Sequence, residues 1–525
     1  MASDDSSPSP SHSHHRDSIK SSVGNTAANR RRQQAISIGK ERRDALIRAK
    51  RLCRDSIFED DNNEKGLDEG KMVIDEEQSV LNARTAQTVQ ELKSSLSYQG
   101  KDATQKTIEA LRALRKLLSK SEVPPIEAAI QGGAVPLLVQ CLSFGSADEQ
   151  LLEAAWCVTN IAAGGPEETK SLLPALPLLI AHLGEKSSVH VAEQCAWALG
   201  NVAGEDMELR SILFAQGALL PLTRLMLSNR ESTARTAAWA LSNLIKGPDP
   251  KAANELIRIE AITDTIVKHL KTADEELVTE VAWMVVYLSA LSDKAISILV
   301  RSDVVPVLVN RLVGSASLQL LIPVLRSLGN LVAADAYITH SVLIVGNDIT
   351  DQVLYGLIKC LKSEHRVLKK EALWVLSNIA AGTLEHKTLI FSSEAVPLLI
   401  DLLSAAPFEI RKEAAYTLGN ICVGPTKGSD NKSDIIVTHL VPLVKGGCLP
   451  GFVNLVRSAD LESARVGLIF LELVMRGYPN GEGPKLVERE DGIDAMERFQ
   501  FHENQEMRNM ANTLVDKYFG ADYGV

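Results

Sequence analysis

One segment recurs three times in succession: Glu153-Ala154-Ala155-Trp156-Cys157-Val158-Thr159-Asn160, Gln194-Cys195-Ala196-Trp197-Ala198-Leu199-Gly200-Asn201, and Thr236-Ala237-Ala238-Trp239-Ala240-Leu241-Ser242-Asn243. Each copy sets Trp and Asn four residues apart in an Ala/Leu-rich run of helical period, so ring and amide share one helix face, one turn apart. The copies are 41 and 42 residues apart. That period is the signature of stacked helical repeats, whose equivalent positions fall in a row along one surface. The expected product is a ladder in which indoles alternate with amides.

Continued along the chain, the same phase meets Trp283 with Tyr287, Arg326 with Asn330, Trp374 with Asn378, and Tyr416 with Asn420, at spacings of 44, 43, 48 and 42. The period predicts one degenerate repeat before the series, starting near Thr85, and two after it, because terminal repeats must turn one polar face to solvent. Between the Trp helices runs a constant phrase: a short helix, a small residue, then a helix with Pro in its first turn, as in Gly133-Ala134-Val135-Pro136, Gly217-Ala218-Leu219-Leu220-Pro221 and Glu394-Ala395-Val396-Pro397. A chain of 525 residues exceeds one compact core, but a stack of repeats has no such ceiling.

The net charge of −10 conceals a division. Residues 1–57 hold 12 Lys/Arg against six Asp/Glu, leaving 44 against 60 for the rest, so a basic arm is tethered to an acidic body. Such a body attracts basic ligands and repels nucleic acid. Residues 1–29 offer no apolar period and read as a disordered tail; His12, His14 and His15 lie in it as polar residues rather than metal ligands. Residues 30–58 carry Arg30, Arg31, Arg32, Lys40, Arg42, Arg43, Arg48, Lys50, Arg51 and Arg54 around a thin apolar stripe. That stretch reads as a nucleic-acid arm or as a segment for an acidic partner; a membrane-surface helix would need large aromatic anchors opposite the charges, and there are none. Residues 59–84 read as an acidic flexible linker, 85–519 as the repeat body and 520–525 as a short tail.

The seven cysteines, at 53, 141, 157, 195, 360, 422 and 448, are widely spaced within mostly apolar runs and read as small core residues of a reduced compartment. No apolar run approaches the ~18–20 residues that cross a membrane. Phosphate-loop, zinc-protease, serine-elbow and paired-cysteine motifs are missing, which argues against catalysis and against a metal or cofactor.

Asn offers a donor and an acceptor together and can bond both the N–H and the C=O of one residue of an extended peptide. Neighbouring indoles wall slots for a Lys or Arg stem with its charged head on their faces. Glu153, Glu205 and Asp206 beside the first rungs are either acids that attract such a ligand or solvated surface charges. The ladder therefore predicts a groove for an extended Lys/Arg-rich peptide.

The rungs in EAAWCVTNIAAG, EQCAWALGNVAGE, TAAWALSNLIKG and EALWVLSNIAAG, behind a basic N-terminal segment, resemble the importin alpha (karyopherin alpha) family over residues ~30–520. The resemblance implies an all-α, right-handed superhelical solenoid of about ten armadillo repeats. It implies a nuclear import adaptor without cofactor, shuttling between cytoplasm and nucleus, which binds nuclear localisation signals, meets importin beta through residues 30–58 and an export receptor through its C-terminal repeats. The major site would hold Trp156, Asn160, Trp197, Asn201, Trp239 and Asn243, with Gly164, Thr169 and Glu205 around a key ligand lysine and Gln194 as a further polar wall. The minor site would hold Arg326, Asn330, Glu371, Trp374, Asn378, Glu413, Tyr416 and Asn420, with Trp283 and Tyr287 between the sites. The chain departs from the family pattern at Tyr416, where Trp is expected, at Ala290, where Asp is usual, and at Arg48-Ala49-Lys50-Arg51, which stands for a Lys-Arg-Arg self-inhibitory signal. The first departure predicts a weakened minor site. The competing reading is an armadillo scaffold of adhesion, signalling or transcription, but it calls for Lys/Arg along the ladder where Asn, Trp and Glu stand.

Overall fold

The computed structural model describes residues 70–119, 123–344, 352–423 and 435–520. The basic segment 30–58, the tail 1–29 with its histidines, Cys53 and residues 521–525 lie outside the described residues. Among the described residues the fold is all helix, without a strand, and it is built from the expected armadillo phrase.

The helices that carry the ladder are numbered here in chain order: α1 (Ala103–Ser119), α2 (Asp148–Ile161), α3 (Val189–Glu205), α4 (Glu231–Ile245), α5 (Glu275–Leu291), α6 (Leu318–Val332), α7 (Arg366–Ala380), α8 (Phe408–Cys422) and α9 (Leu461–Gly477). Before each of α2, α4 and α8 stand two shorter helices, such as Ile126–Gln131 and Ala134–Cys141 before α2. Contacts divide the chain into two compact units, one ending at Val307 and one beginning at Leu308. In the first, α1 packs on α2, α2 on α3, α3 on α4 and α4 on α5. In the second, α6 packs on α7, α7 on α8 and α8 on α9. Each unit is thus a stack whose core lies between successive helices, as repeats that cannot bury an apolar face alone require.

Local chemistry fixes the joints. The short helices meet at a residue of positive φ: Gly133 (85°), Gly217 (81°) and Ala261 (63°) in the first unit and Gly447 (89°) in the second. Glycine adopts that conformation without steric cost, whereas the Cβ of Ala261 costs about 1 kcal/mol. Side-chain oxygens of Asp274, Asp335 and Asp460 accept from Leu277, Ile338 and Ser463 N–H and so close otherwise unpaired helix starts.

One boundary needs correction. The acidic linker read over 59–84 gives way at Gly70 to a helix that runs to Ser97. Burial in that helix begins at Thr85 and continues through Thr88, Val89, Leu92 and Ser95, while Val80 is exposed. The packed body does start where the apolar pattern starts; residues 77–84 of this helix are not buried and so leave no periodic trace. Cys141, Cys157, Cys195, Cys360, Cys422 and Cys448 are buried, and desolvation pushes the Cys141 and Cys448 thiols up to about 12 and Cys360 up to about 11. Six of the seven cysteines are core residues, as read.

Candidate functional site

In the first unit, Trp156, Trp197, Trp239 and Trp283 come from consecutive helices α2 to α5. The Trp197 and Trp239 rings stand 5.9 Å apart between centroids, tilted by 53°. A Cβ built on Gly200 would lie 2.2 Å from the six-membered ring of Trp239, so this indole rests directly on the backbone of the preceding ladder helix. Trp283 lies with Tyr287 of its own helix, centroids 6.1 Å apart, and both are buried.

The asparagines have a second task that periodicity did not show. Asn201 Nδ2 donates to Thr159 O and Asn243 Nδ2 to Gly200 O, each at 3.1 Å. In both cases the acceptor is the residue just before the preceding rung's Asn. Asn201 and Asn243 are buried, and Asn160, half-buried at the row's start, makes a longer 3.4 Å bond to Arg115 O. One amide hydrogen of each of these Asn residues therefore ties helix to helix. Gln194 Nε2 donates to the Thr159 hydroxyl at 2.7 Å, a further tie between α2 and α3.

Around the place the resemblance gives to a key lysine, Gly164 follows α2, Thr169 is buried, and Glu205 is the half-buried last residue of α3. A Cβ on Gly164 would meet Glu168, Ile126 and Ile161 at 3.1 Å each, so the position is narrow. The Thr169 hydroxyl donates to Gly165 O at 2.9 Å, which leaves its lone pairs, the half a cation needs. The Asp206 carboxylate caps the next helix, accepting from Leu209 N–H at 2.8 Å.

Glu153 is likewise already engaged. It is buried, and its carboxylate accepts from Arg115 Nε at 2.6 Å and Arg112 Nε at 3.3 Å, while Arg112 also pairs with Glu149. The Arg115 guanidinium carbon sits 4.6 Å from the centroid of the Trp156 ring, a cation–π contact within the chain. Arg115 stands 41 residues before Trp156 and is thus the rung of the degenerate first repeat.

The second unit repeats this opening. Arg326 Nη2 bonds Glu371 Oε1 at 2.7 Å, and Glu371 precedes Trp374 by three residues, as Glu153 precedes Trp156. Trp374 rests on Gly329, where a Cβ would lie 2.1 Å from the ring. Asn378 Nδ2 donates to Gly329 O and Asn420 Nδ2 to Ser377 O, again at 3.1 Å. Asn330 and Glu413 are half-buried. Tyr416 is buried, and its hydroxyl donates to Glu462 Oε1 of α9 at 2.6 Å. Burial and then that bond to a carboxylate raise its pKa. Lys412 pairs with the same Glu462 and with Asp460. The end of α8 is closed by buried Lys387, whose Nζ donates to Asn420 O at 2.7 Å and Val423 O at 2.6 Å; desolvation lowers its pKa to about 8.

The sequence reading named each indole and amide but missed Arg115, Arg112, Gly200, Gly329, Glu462 and Lys387. Counting one period back from Trp156 finds Arg115, and glycine directly before Asn marks where the next indole lands. The partners of Glu462 and Lys387, at 46 and 33 residues' separation, carry no local signal.

Comparison with known proteins follows the same lines. An armadillo/beta-catenin-like repeat model matches residues 122–163 and 384–423, and a HEAT-like repeat model matches 148–202 and 189–244. Importin subunit alpha-2 of Oryza sativa subsp. japonica is 69% identical over 529 residues, covering 100% of both chains. Importin subunit alpha-9 of Arabidopsis thaliana is 63% identical over 513 residues, covering 98% of each. The crystal structure of an engineered protein superposes with a TM-score of 0.71 at 25% identity, over 82% of this chain and 98% of that one.

Proposed function

Because the chain belongs to the importin subunit alpha family, whose members are nuclear import adaptors, we propose that it carries cargo by holding Lys/Arg-rich localisation signals as extended peptides along the Trp/Asn rows. The observation that carries the reading is the repeated 3.1 Å tie from Asn201, Asn243, Asn378 and Asn420 to the preceding helix, which holds these carboxamides in a constant register within each unit. Neighbouring helices in such a stack lie about 10 Å apart, and an extended peptide rises ~3.3 Å per residue, so each Asn meets every second or third peptide residue whatever the sequence. The tilted indoles supply the cation preference. A Lys or Arg stem lies along the ring and its head on the face, worth ~0.5–2 kcal/mol per slot. Four or five slots with backbone bonds of ~1 kcal/mol, less the cost of ordering the peptide, leave ~8–11 kcal/mol, or micromolar to ~10 nM.

In this reading Trp156 to Trp239, with Gln194 and the acceptors Gly164, Thr169 and Glu205, form the main row. Arg326, Asn330, Glu371, Trp374, Asn378, Glu413, Tyr416 and Asn420 form a second row, and Trp283 with Tyr287 follows Trp239. The basic residues from Arg30 to Arg54 bind importin beta, an export receptor returns the empty adaptor, and the protein shuttles between cytoplasm and nucleus. The test is fluorescence anisotropy of a labelled Lys/Arg-rich signal peptide with the full chain and with W197A/W239A. We expect submicromolar to micromolar binding and a loss of at least about tenfold in the variant. Preference for an acidic peptide, or equal binding by the variant, overturns the proposal.

A further inference from the structure

The row of indoles in the first unit does not begin with a place for a ligand cation; it begins with a cation of the chain itself. The Arg115 guanidinium covers a face of Trp156 at 4.6 Å and is held there by Glu153 at 2.6 Å. Both carboxylates at this rung are committed, Glu153 to Arg115 and Arg112, Glu149 to Arg112. An incoming Lys would find its acidic partners taken and two guanidinium groups beside it. Arg115 spends only Nε on the protein among the described residues, and its side chain is 17% exposed, so its four terminal N–H hydrogens remain for solvent or a ligand.

We propose that Arg115 is a specificity-determining residue that ends the cationic part of the row: the ligand residue lying against it is selected to be acidic, so this chain prefers signals whose basic core is flanked on one side by Asp or Glu. The inference rests on the adaptor reading above. The guanidinium is preorganised for a carboxylate by the Trp156 ring and by the Glu153 bond, which fix its plane before a ligand arrives. A rim charge of this kind acts on selectivity more than on total affinity and weakens with salt.

The experiment uses the full chain and one Lys/Arg-core peptide in which a single Glu, Gln or Lys is walked through the flanking positions on both sides. At one flanking position the order should be Glu, then Gln, then Lys, with Glu about 3–10-fold tighter than Lys at low salt and the gap closing near 0.5 M salt. R115Q should remove the difference between the Glu and Lys peptides, and R115K should keep part of it. Core binding with Lys equal to or better than Glu at every flanking position overturns the inference and leaves the adaptor reading standing, as does a Glu preference that persists in R115Q. Failure of every peptide to bind overturns the adaptor reading itself.

Discussion

The two units open their rows in the same way and close them differently. Arg115–Glu153–Trp156 in the first and Arg326–Glu371–Trp374 in the second are the same triplet, an Arg rung clamped by a Glu three residues ahead of the next indole. Yet the first pair is wetter, at 17% for Arg115 and 9% for Glu153 with the neighbouring Arg112 37% exposed, whereas the second is dry, at 7% for Arg326 and 3% for Glu371. The first row goes on through two further indoles to Trp283; the second passes to Tyr416, whose hydroxyl is tied to Glu462. A wet pair leaves charge on offer to a ligand, while a dry pair is a fastening. On the proposal above, similar sequence positions serve selection in one unit and cohesion in the other, with burial making the difference.

Removing one acid from each pair tests that contrast most sharply. E371A breaks a buried ion pair by removing one partner and should cost about 3–5 kcal/mol, seen as a fall in the thermal midpoint; E153A, beside partly solvated arginines, should cost about 1 kcal/mol or less. Equal losses would abolish the distinction. Next in size, G200A and G329A each drive a methyl into the following indole and should destabilise by about 1–3 kcal/mol. Each should also weaken peptide binding through the row of its own unit, read by tryptophan fluorescence and anisotropy; an Ala tolerated in one row and not the other would show where backbone and indole can part.

The least direct test of the comparison is a pH dependence of the second unit. Unfolded Lys387 keeps its proton to about 10.5 and folded Lys387 only to about 8, so within that window the unfolded state binds more protons and stability rises with pH. This contribution is fully present above the unfolded value and is lost as pH falls through about 8, at no more than ~1.4 kcal/mol per pH unit. Denaturant midpoints between pH 7.5 and 10 should therefore climb less steeply in K387M. An unchanged slope would mean that Lys387 stays charged beneath Asn420 O.

The period, the helix phrase and the rung residues were legible in the chain because each is a local pattern repeated many times. Side chains that act across repeats were not. Glu153 reads from the sequence as an acid near an indole, and only the fold brings Arg115 and Arg112 to it. Asp206 shows a different limit: Asp just before an apolar helix is a capping signal, but the neighbouring rung made its charge look like the salient property. The turns just before Thr85 were missed because residues 77–84 bury nothing and a helix without a buried face writes no apolar stripe.

The amide ties also bear on how far such a chain tolerates insertion. Successive rungs are 41 to 44 residues apart except between Arg326 and Trp374, where the interval is 48, and across that longer interval Asn378 still meets Gly329 O at 3.1 Å. The register of these rungs is thus held by contacts between neighbouring helices, not by the length of chain that joins them. A connecting segment can therefore lengthen, as this one does, without shifting the spacing from one wall to the next.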